Sequence, residues 1–187
     1  SMEKQQAATN AALAMFQRLG MNIDVAGDAY ARFAISSTAA GFSIEQTQKV
    51  FGSVGQALGV VGASAQQVEY AMYGLTQMMQ KGKVSSEEFN RQIGEQIPGN
   101  AAVGARAMSA LLGRVVEVSE FFDLMAKGQI QSATFAPAWA AELDKMYSPL
   151  RGLVDLRPDV ALNRLKNAFT LFALEVGKSG FMSGMGR

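Results

Sequence analysis

Met79-Gln-Lys-Gly-Lys-Val-Ser-Ser-Glu-Glu-Phe89 and, at an offset of 46, Met125-Ala-Lys-Gly-Gln-Ile-Gln-Ser-Ala-Thr-Phe135 spell one pattern twice, Met-x-Lys-Gly-x-(Val/Ile)-x-Ser-x-x-Phe. The pattern is a helix stop followed by a helix start. Gly82 and Gly128 fit the position just past a helix, where the chain goes left-handed and only glycine escapes the Cβ penalty. Lys81 and Lys127 suit the negative end of the helix dipole. Val84 and Ile130 stand where an apolar residue before a serine cap can staple onto the first turn of the next helix. Each copy predicts a helical hairpin.

A second spacing surrounds the first. Ser43, Ser64 and Ser85 lie 21 residues apart, and each is followed three positions later by Gln46, Gln67 or Glu88. Serine followed at that distance by Gln or Glu is a capping box, so three helix starts are marked. Within the first two units, Thr47, Val50, Phe51, Val54, Ala57 and Leu58 correspond to Val68, Ala71, Met72, Leu75, Met78 and Met79. Both sets fall on one helical face.

The flanks carry the same helical period. Ala8, Ala11, Ala12, Met15, Phe16 and Leu19 mark an amphipathic helix over 3–19 that stops at Gly20. Asp24 is expected to cap the next helix, with Ala29, Tyr30, Phe33 and Ala34 buried, fraying near Gly27, and a stop at Gly41. Two such alanine-rich helices make a thin core and are expected to lean on the rest of the chain or on another chain. The Ser43 helix is expected to end around Gly59. Gly74 beside Met78 and Met79 predicts close approach of another helix. A third capped helix runs from Ser86 to about Gln96, ended by Pro98 and Gly99. Asn100 and Ser119 are expected to cap the helices 101–112 and 120–127. Ser132 opens the next, although Pro137 would allow a start as late as Thr134 or Phe135, and Pro149 closes it. Val160, Ala161, Leu165, Ala168, Phe169, Leu171, Phe172 and Val176 form a last amphipathic helix, followed by a glycine-rich tail over 177–187.

No stretch alternates with strand period between turn signals. The expectation is an all-α fold, a compact array of about eight or nine short helices arranged as helical hairpins. It divides into an N-terminal helical pair (1–41), a core of hairpins (42–147) and a C-terminal helix with its tail (148–187). Repeated glycine stops exclude a long coiled coil within the chain.

The composition removes most catalytic designs. Among 187 residues there is no cysteine and no histidine, which eliminates thiol nucleophiles, the commonest metal ligand and the commonest general base at neutral pH. A net charge of +1 without a like-charged block argues against a phosphate-binding surface. No apolar run reaches the roughly 18–20 residues of a spanning helix, so no membrane segment is expected. Ser1 and Met2 read as the remnant of a cleaved tag, and the chain is expected to be a piece of a longer protein. Glu87 and Glu88 suit a helix first turn, and Glu95, Glu117, Glu120, Glu142 and Glu175 are spread singly. A two-carboxylate hydrolase would need partners that meet only in space. Phosphate-loop, dinucleotide and calcium-loop motifs are missing. Lys81, Lys83, Arg91, Lys127 and Arg151 could gather into a basic patch, but lysines at helix ends are the ordinary reading. No residue is nominated as catalytic, cofactor-binding or metal-binding, no cofactor is expected, and neither nucleic acid nor a small-molecule substrate is expected as a partner.

The stretch Leu75-Thr-Gln-Met-Met-Gln-Lys-Gly-Lys-Val-Ser-Ser-Glu-Glu-Phe-Asn-Arg-Gln-Ile-Gly-Glu-Gln-Ile-Pro-Gly99 resembles the tape measure domain of tailed-phage and prophage tail proteins. That family shows Leu-x-Gln-Met-x-x-Lys-Gly-x-(Val/Ile)-x-x-Glu-Glu-(Leu/Phe), then a Pro-Gly turn, then a Met-x-x-Gly-x-(Ile/Val) echo, matched here by Leu124-Met-Ala-Lys-Gly-Gln-Ile130. Phe89 and Ile93 replace the commoner leucines. The likeness covers roughly 42–147, and the helix over 163–180 is similar to the segment that follows in such proteins. The resemblance implies a structural virion protein of the tail, which sets tube length during assembly in the bacterial host cytoplasm, lies in the tube and leaves ahead of the genome. It implies other phage tail proteins as partners (tube, chaperone or tail-tip components), with self-association as a further contact. Some members carry cell-wall hydrolase domains elsewhere, so a glutamate-dependent peptidoglycan-cleaving domain is the alternative. A continuous helix of this length would span roughly 280 Å at 1.5 Å per residue. The repeated stops say instead that the chain folds back on itself, as a globular part of the larger protein.

Overall fold

The computed structural model describes residues 2–178, and the expected tail beyond Lys178 lies outside the described residues. The architecture is all-α. Its helices are α1 Met2–Leu19, α2 Ile23–Ala39, α3 Ile44–Val61, α4 Ala65–Lys81, a π-helical segment Glu87–Gly94, α5 Asn100–Leu112, α6 Val118–Ala126, α7 Ser132–Tyr147, a 3-10 turn Ser148–Leu150, α8 Gly152–Asp155 and α9 Pro158–Lys178.

Two of the three serine caps form as the spacing predicts. Ser43 and Ser64 each accept from the backbone of Gln46 and Gln67, whose side chains reach back to the serine N–H groups. The paired faces are buried: Val50, Phe51, Val54 and Leu58 on α3, and Ala71, Met72, Leu75 and Met78 on α4, are essentially inaccessible. Each large apolar side chain so buried contributes on the order of 1.5–3 kcal/mol. Ser85 departs from the pattern. Its hydroxyl donates to the Glu88 carboxylate, which also takes the Lys81 ammonium, so no capping box forms there. The reason is tertiary: Glu88 is drawn inside, fully buried, and cannot reach back over the helix start.

Other boundaries shift for reasons equally physical. Asn22, not Asp24, caps α2, because its amide oxygen accepts from the N–H groups of Asp24 and Val25. α2 passes through Gly27 without a break. α3 runs past Gly59 to Val61 and ends at left-handed Gly62, and the Arg157 guanidinium takes the Gly59 carbonyl at 2.8 Å. Asn100 is the first residue of α5 rather than its cap, which is Gly99. α6 opens at Val118 behind Glu117, so Ser119 lies inside its first turn. The preceding Val116 is buried and its N–H is held by Ser109 Oγ at 2.9 Å. α7 starts at Ser132 despite Pro137, because the Ser132 N–H donates to the Gly82 carbonyl at 3.1 Å and fixes that start.

One apolar core runs from Ala12 to Tyr147. At one end Phe51 meets Phe16, Tyr30 and Phe33 at ring distances of 5.9, 5.2 and 5.9 Å. At the other, Phe89 meets Phe121, Phe135 and Trp139 at 5.3, 5.5 and 5.4 Å, edge to face. Such pairs add roughly 0.5–1.5 kcal/mol each beyond their burial. α3 and α5 both pack on α7, α6 rests chiefly on α5, and α4 lies against α2 and the π segment. The helix approach predicted at Gly74 is present: a Cβ there would sit 2.7 Å from Gln92 Cβ on the π segment.

The two copies of the turn find each other. Gly82 and Gly128 are both left-handed, with φ of 70° and 65°. The strands that leave them pair antiparallel: the Val84 N–H donates to Ile130 O at 2.9 Å, and an isolated bridge joins Lys83 to Gln131. Corresponding residues of the repeat, Val84 with Ile130 and Phe89 with Phe135, therefore come together. Both staples are buried.

Candidate functional site

Four of the glutamates are engaged structurally. Glu88 lies with Lys81 and Ser85, Glu87 pairs with Arg91 at 3.0 Å, Glu120 with Arg114, and Glu142 with Arg106 and Lys145. Burial pushes the Glu88 carboxyl up, but the Lys81 ammonium, the Ser85 hydroxyl and its own backbone N–H together hold it below the ordinary value. The Arg114 guanidinium lowers Glu120 in the same sense, on the surface. Among the described residues no group of three His, Cys, Asp or Glu side chains could hold a metal ion. No described helix is long and apolar enough to cross a membrane.

The cations are also partly committed. Lys81 and Arg91 serve the glutamates just named, and Arg151 donates to Gln56 Oε1 on α3. Lys83 lies over Gly128, where an added Cβ would sit 3.7 Å from its Cδ.

What remains are two surfaces. The first is the edge formed by α8 and α9. Asn167 is buried and bridges the α1–α2 corner, donating to Met21 O at 2.6 Å and accepting the otherwise orphaned Ile23 N–H at 3.1 Å. Asn163 donates to Gly20 O and Arg164 to Gln17 O and Arg18 O. Val160 packs on Gly20. α9 thus turns a polar edge inward, and Leu162 and Leu165 stand 51% and 68% exposed, as do Leu153 on α8 and Leu156 just after it at 54% and 80%. Of the expected inward apolar stripe, Val160 is buried and Leu171 packs against the core, whereas Ala161, Leu165 and Ala168 are exposed.

The second surface is a groove of about 760 Å³ between α2 and α4. Two tight reversals leave these helices running the same way side by side. Asp24, Asp28 and Arg32 on α2 and Glu69 on α4 supply its charge, and Ile35, Tyr70 and Tyr73 its apolar wall. The apolar periodicity of α2 and α4 marks their buried faces and not this outward one. The usable signal was the spacing of Asp24, Asp28, Arg32 and Ile35, which share one outward face of α2.

No curated protein and no solved structure matches the chain. A family description does: Tape measure protein, over residues 1–178. The resemblance carried by the Met-x-Lys-Gly turns thus extends over both flanking segments, and the all-α fold with paired turns is the form it takes here. The chain belongs to the tape measure protein family, and that membership makes it a component of a phage tail.

Proposed function

We propose that this chain is the folded-back, globular part of a tape measure protein and acts as a protein–protein interaction module in tail assembly and tail length determination. It works in the bacterial host cytoplasm during assembly and resides in the virion tail afterwards. Its partners are other tail proteins, tube, chaperone or tail-tip components, with self-association as a further contact. The observation that carries this reading is α9, held to the body by Asn163, Arg164 and Asn167 while Leu162 and Leu165 face outward. Exposed apolar side chains grouped on one edge are the usual mark of an interaction surface. On this reading the chain divides into 1–41, 42–147 and 148–187, the last segment carrying that edge.

The alternative, a glutamate-dependent peptidoglycan hydrolase, lacks comparable support, since Glu87, Glu88, Glu120 and Glu142 are each held by a cation. The test is deletion of 43–135 in a phage encoding this chain. Loss of tails is expected, and tails of normal length would overturn the proposal.

A further inference from the structure

We propose that the groove between α2 and α4 receives an amphipathic α-helix of another protein, its lysines or arginines set against Asp24, Asp28 and Glu69 and its apolar stripe laid on Ile35, Tyr70 and Tyr73. This rests on the reading of the chain as an interaction module and supplies the partner's chemistry.

Shape selects a helix. The α2 wall from Asp24 to Ile35 rises about 16 Å and the α4 wall from Gln66 to Gln80 about 21 Å, at 1.5 Å per residue, which is the length of three to four helical turns. Two parallel helices bound a straight trough, and a helix laid in it presents side chains at i, i+3, i+4 and i+7 to the floor. The wall is built to bind. Ile35, Tyr70 and Tyr73 are 74%, 41% and 50% exposed, and Gln77 donates to the Tyr73 hydroxyl at 2.9 Å, which fixes that ring. A pre-positioned tyrosine gives contact area at low entropic cost, the property that makes this residue frequent among interface hot spots.

Charge selects the sign of the partner. Three carboxylates line the groove against one guanidinium, Arg32, and none of the three forms an ion pair among the described residues. Asp24 and Asp28 lie near the start of α2 and Glu69 near the start of α4, so the negative charge collects at one end and the apolar wall extends toward the other. That polarity orients an incoming helix. A second copy of the same groove brings carboxylates against carboxylates and is disfavoured.

The probe is a fluorescein-labelled helical peptide of about 14 residues, leucine at the i, i+3, i+4 and i+7 positions and lysine elsewhere, titrated by anisotropy into the full chain; its counterpart carries glutamate for lysine. At low salt the lysine peptide is expected to bind about tenfold or more tightly than the glutamate peptide, and the double change Asp24→Lys with Asp28→Lys is expected to invert that preference. Tyr73→Ala is expected to weaken the lysine peptide about tenfold. Asp28→Asn, a gentler change, is expected to weaken it less and in the same direction. Failure of the lysine peptide to bind overturns the proposal, as does equal affinity for both peptides. Binding left unchanged by these variants, while their circular dichroism matches the parent, also overturns it. Concentration-dependent dimerisation abolished by Tyr73→Ala, without peptide binding, assigns the groove to a second copy and overturns it too. If deletion of 43–135 abolishes tails while the groove variants assemble them normally, the groove is wrong and the interaction-module reading stands.

Discussion

Trp139 on α7 donates its indole N–H to Asn100 Oδ1 at 2.9 Å, and Asn100 Nδ2 in turn donates to the Phe89 carbonyl at 3.0 Å. One buried amide therefore ties α5, α7 and the π segment together. It also explains why the π segment persists: Asn100 occupies a carbonyl within it, and Gly94 admits the Phe89 oxygen where a Cβ would sit 2.9 Å away. Asn100→Ala leaves the Trp139 N–H unsatisfied in the core, at roughly 1–3 kcal/mol, and takes a second donor from the Phe89 carbonyl. Urea unfolding is expected to show a loss of about 2–5 kcal/mol, with the Trp139 fluorescence changing in the native state.

The Lys81–Glu88 pair makes stability depend on acidity. Glu88 titrates below the ordinary carboxyl value of 4.5 in the folded chain, despite its burial. A carboxyl lowered by folding stabilises above its unfolded value and loses that contribution as pH falls through the folded one. Urea midpoints are therefore expected to drop as pH is taken below about 4.5. In Glu88→Gln that part of the drop disappears, at a cost near neutral pH of about 1–3 kcal/mol for the lost charged hydrogen bonds.

Glycines at two kinds of position respond differently to alanine. At Gly82 nothing lies within 4 Å of an added Cβ, so Gly82→Ala is charged only for its left-handed backbone, about 1–2 kcal/mol. At Gly104 the Cβ would sit 2.6 Å from Phe121 Cζ and 2.9 Å from Phe89 Cζ. Gly104→Ala must displace the aromatic cluster, with an expected loss of about 1–3 kcal/mol and a changed near-ultraviolet dichroism that Gly82→Ala does not show.

Asn167 decides whether α9 stays docked. Asn167→Ala removes the acceptor of the Ile23 N–H and the donor to Met21 O. Limited proteolysis is expected to cut between 157 and 178 well before the parent chain is cut, while the core from α3 to α7 resists. Leu162→Glu with Leu165→Glu, by contrast, changes unfolding free energy by less than about 0.5 kcal/mol, as exposed positions do. Sedimentation velocity is expected to show weaker self-association in that double variant.

The sequence marked what local chemistry decides. Ser43, Ser64, Gly82 and Gly128 act within four or five residues of themselves, and each does what its spacing implies. Residues whose role is set from a distance were less legible. Ser85 and Glu88 have the letters of a capping box, but Lys81 takes the carboxylate. Asn100 looks like a helix cap and instead serves Trp139, 39 residues away. α9 has an apolar stripe, yet Asn163, Arg164 and Asn167 find backbone groups at the α1–α2 corner and set which side faces in. The outward face carrying Asp24, Asp28, Arg32 and Ile35 was legible, but the α2–α4 groove was not, because a helix pattern does not say which two helices will leave a gap between them.

The antiparallel contact at Val84 and Ile130 closes the base of a long excursion containing the π segment, α5 and α6. Considered as a mechanical joint, it gives tension applied to the ends of the chain a direct route from α4 to α7, beside the one through the π segment and α5. The joint is pulled in the unzipping direction: Gly82 with Ser132 bears the load first, and only afterwards Val84 with Ile130. Bonds strained one at a time yield at lower force than bonds sheared together, and once the π segment, α5 and α6 unfold as well, about 46 residues at roughly 3.3–3.6 Å apiece add on the order of 150 Å of reach.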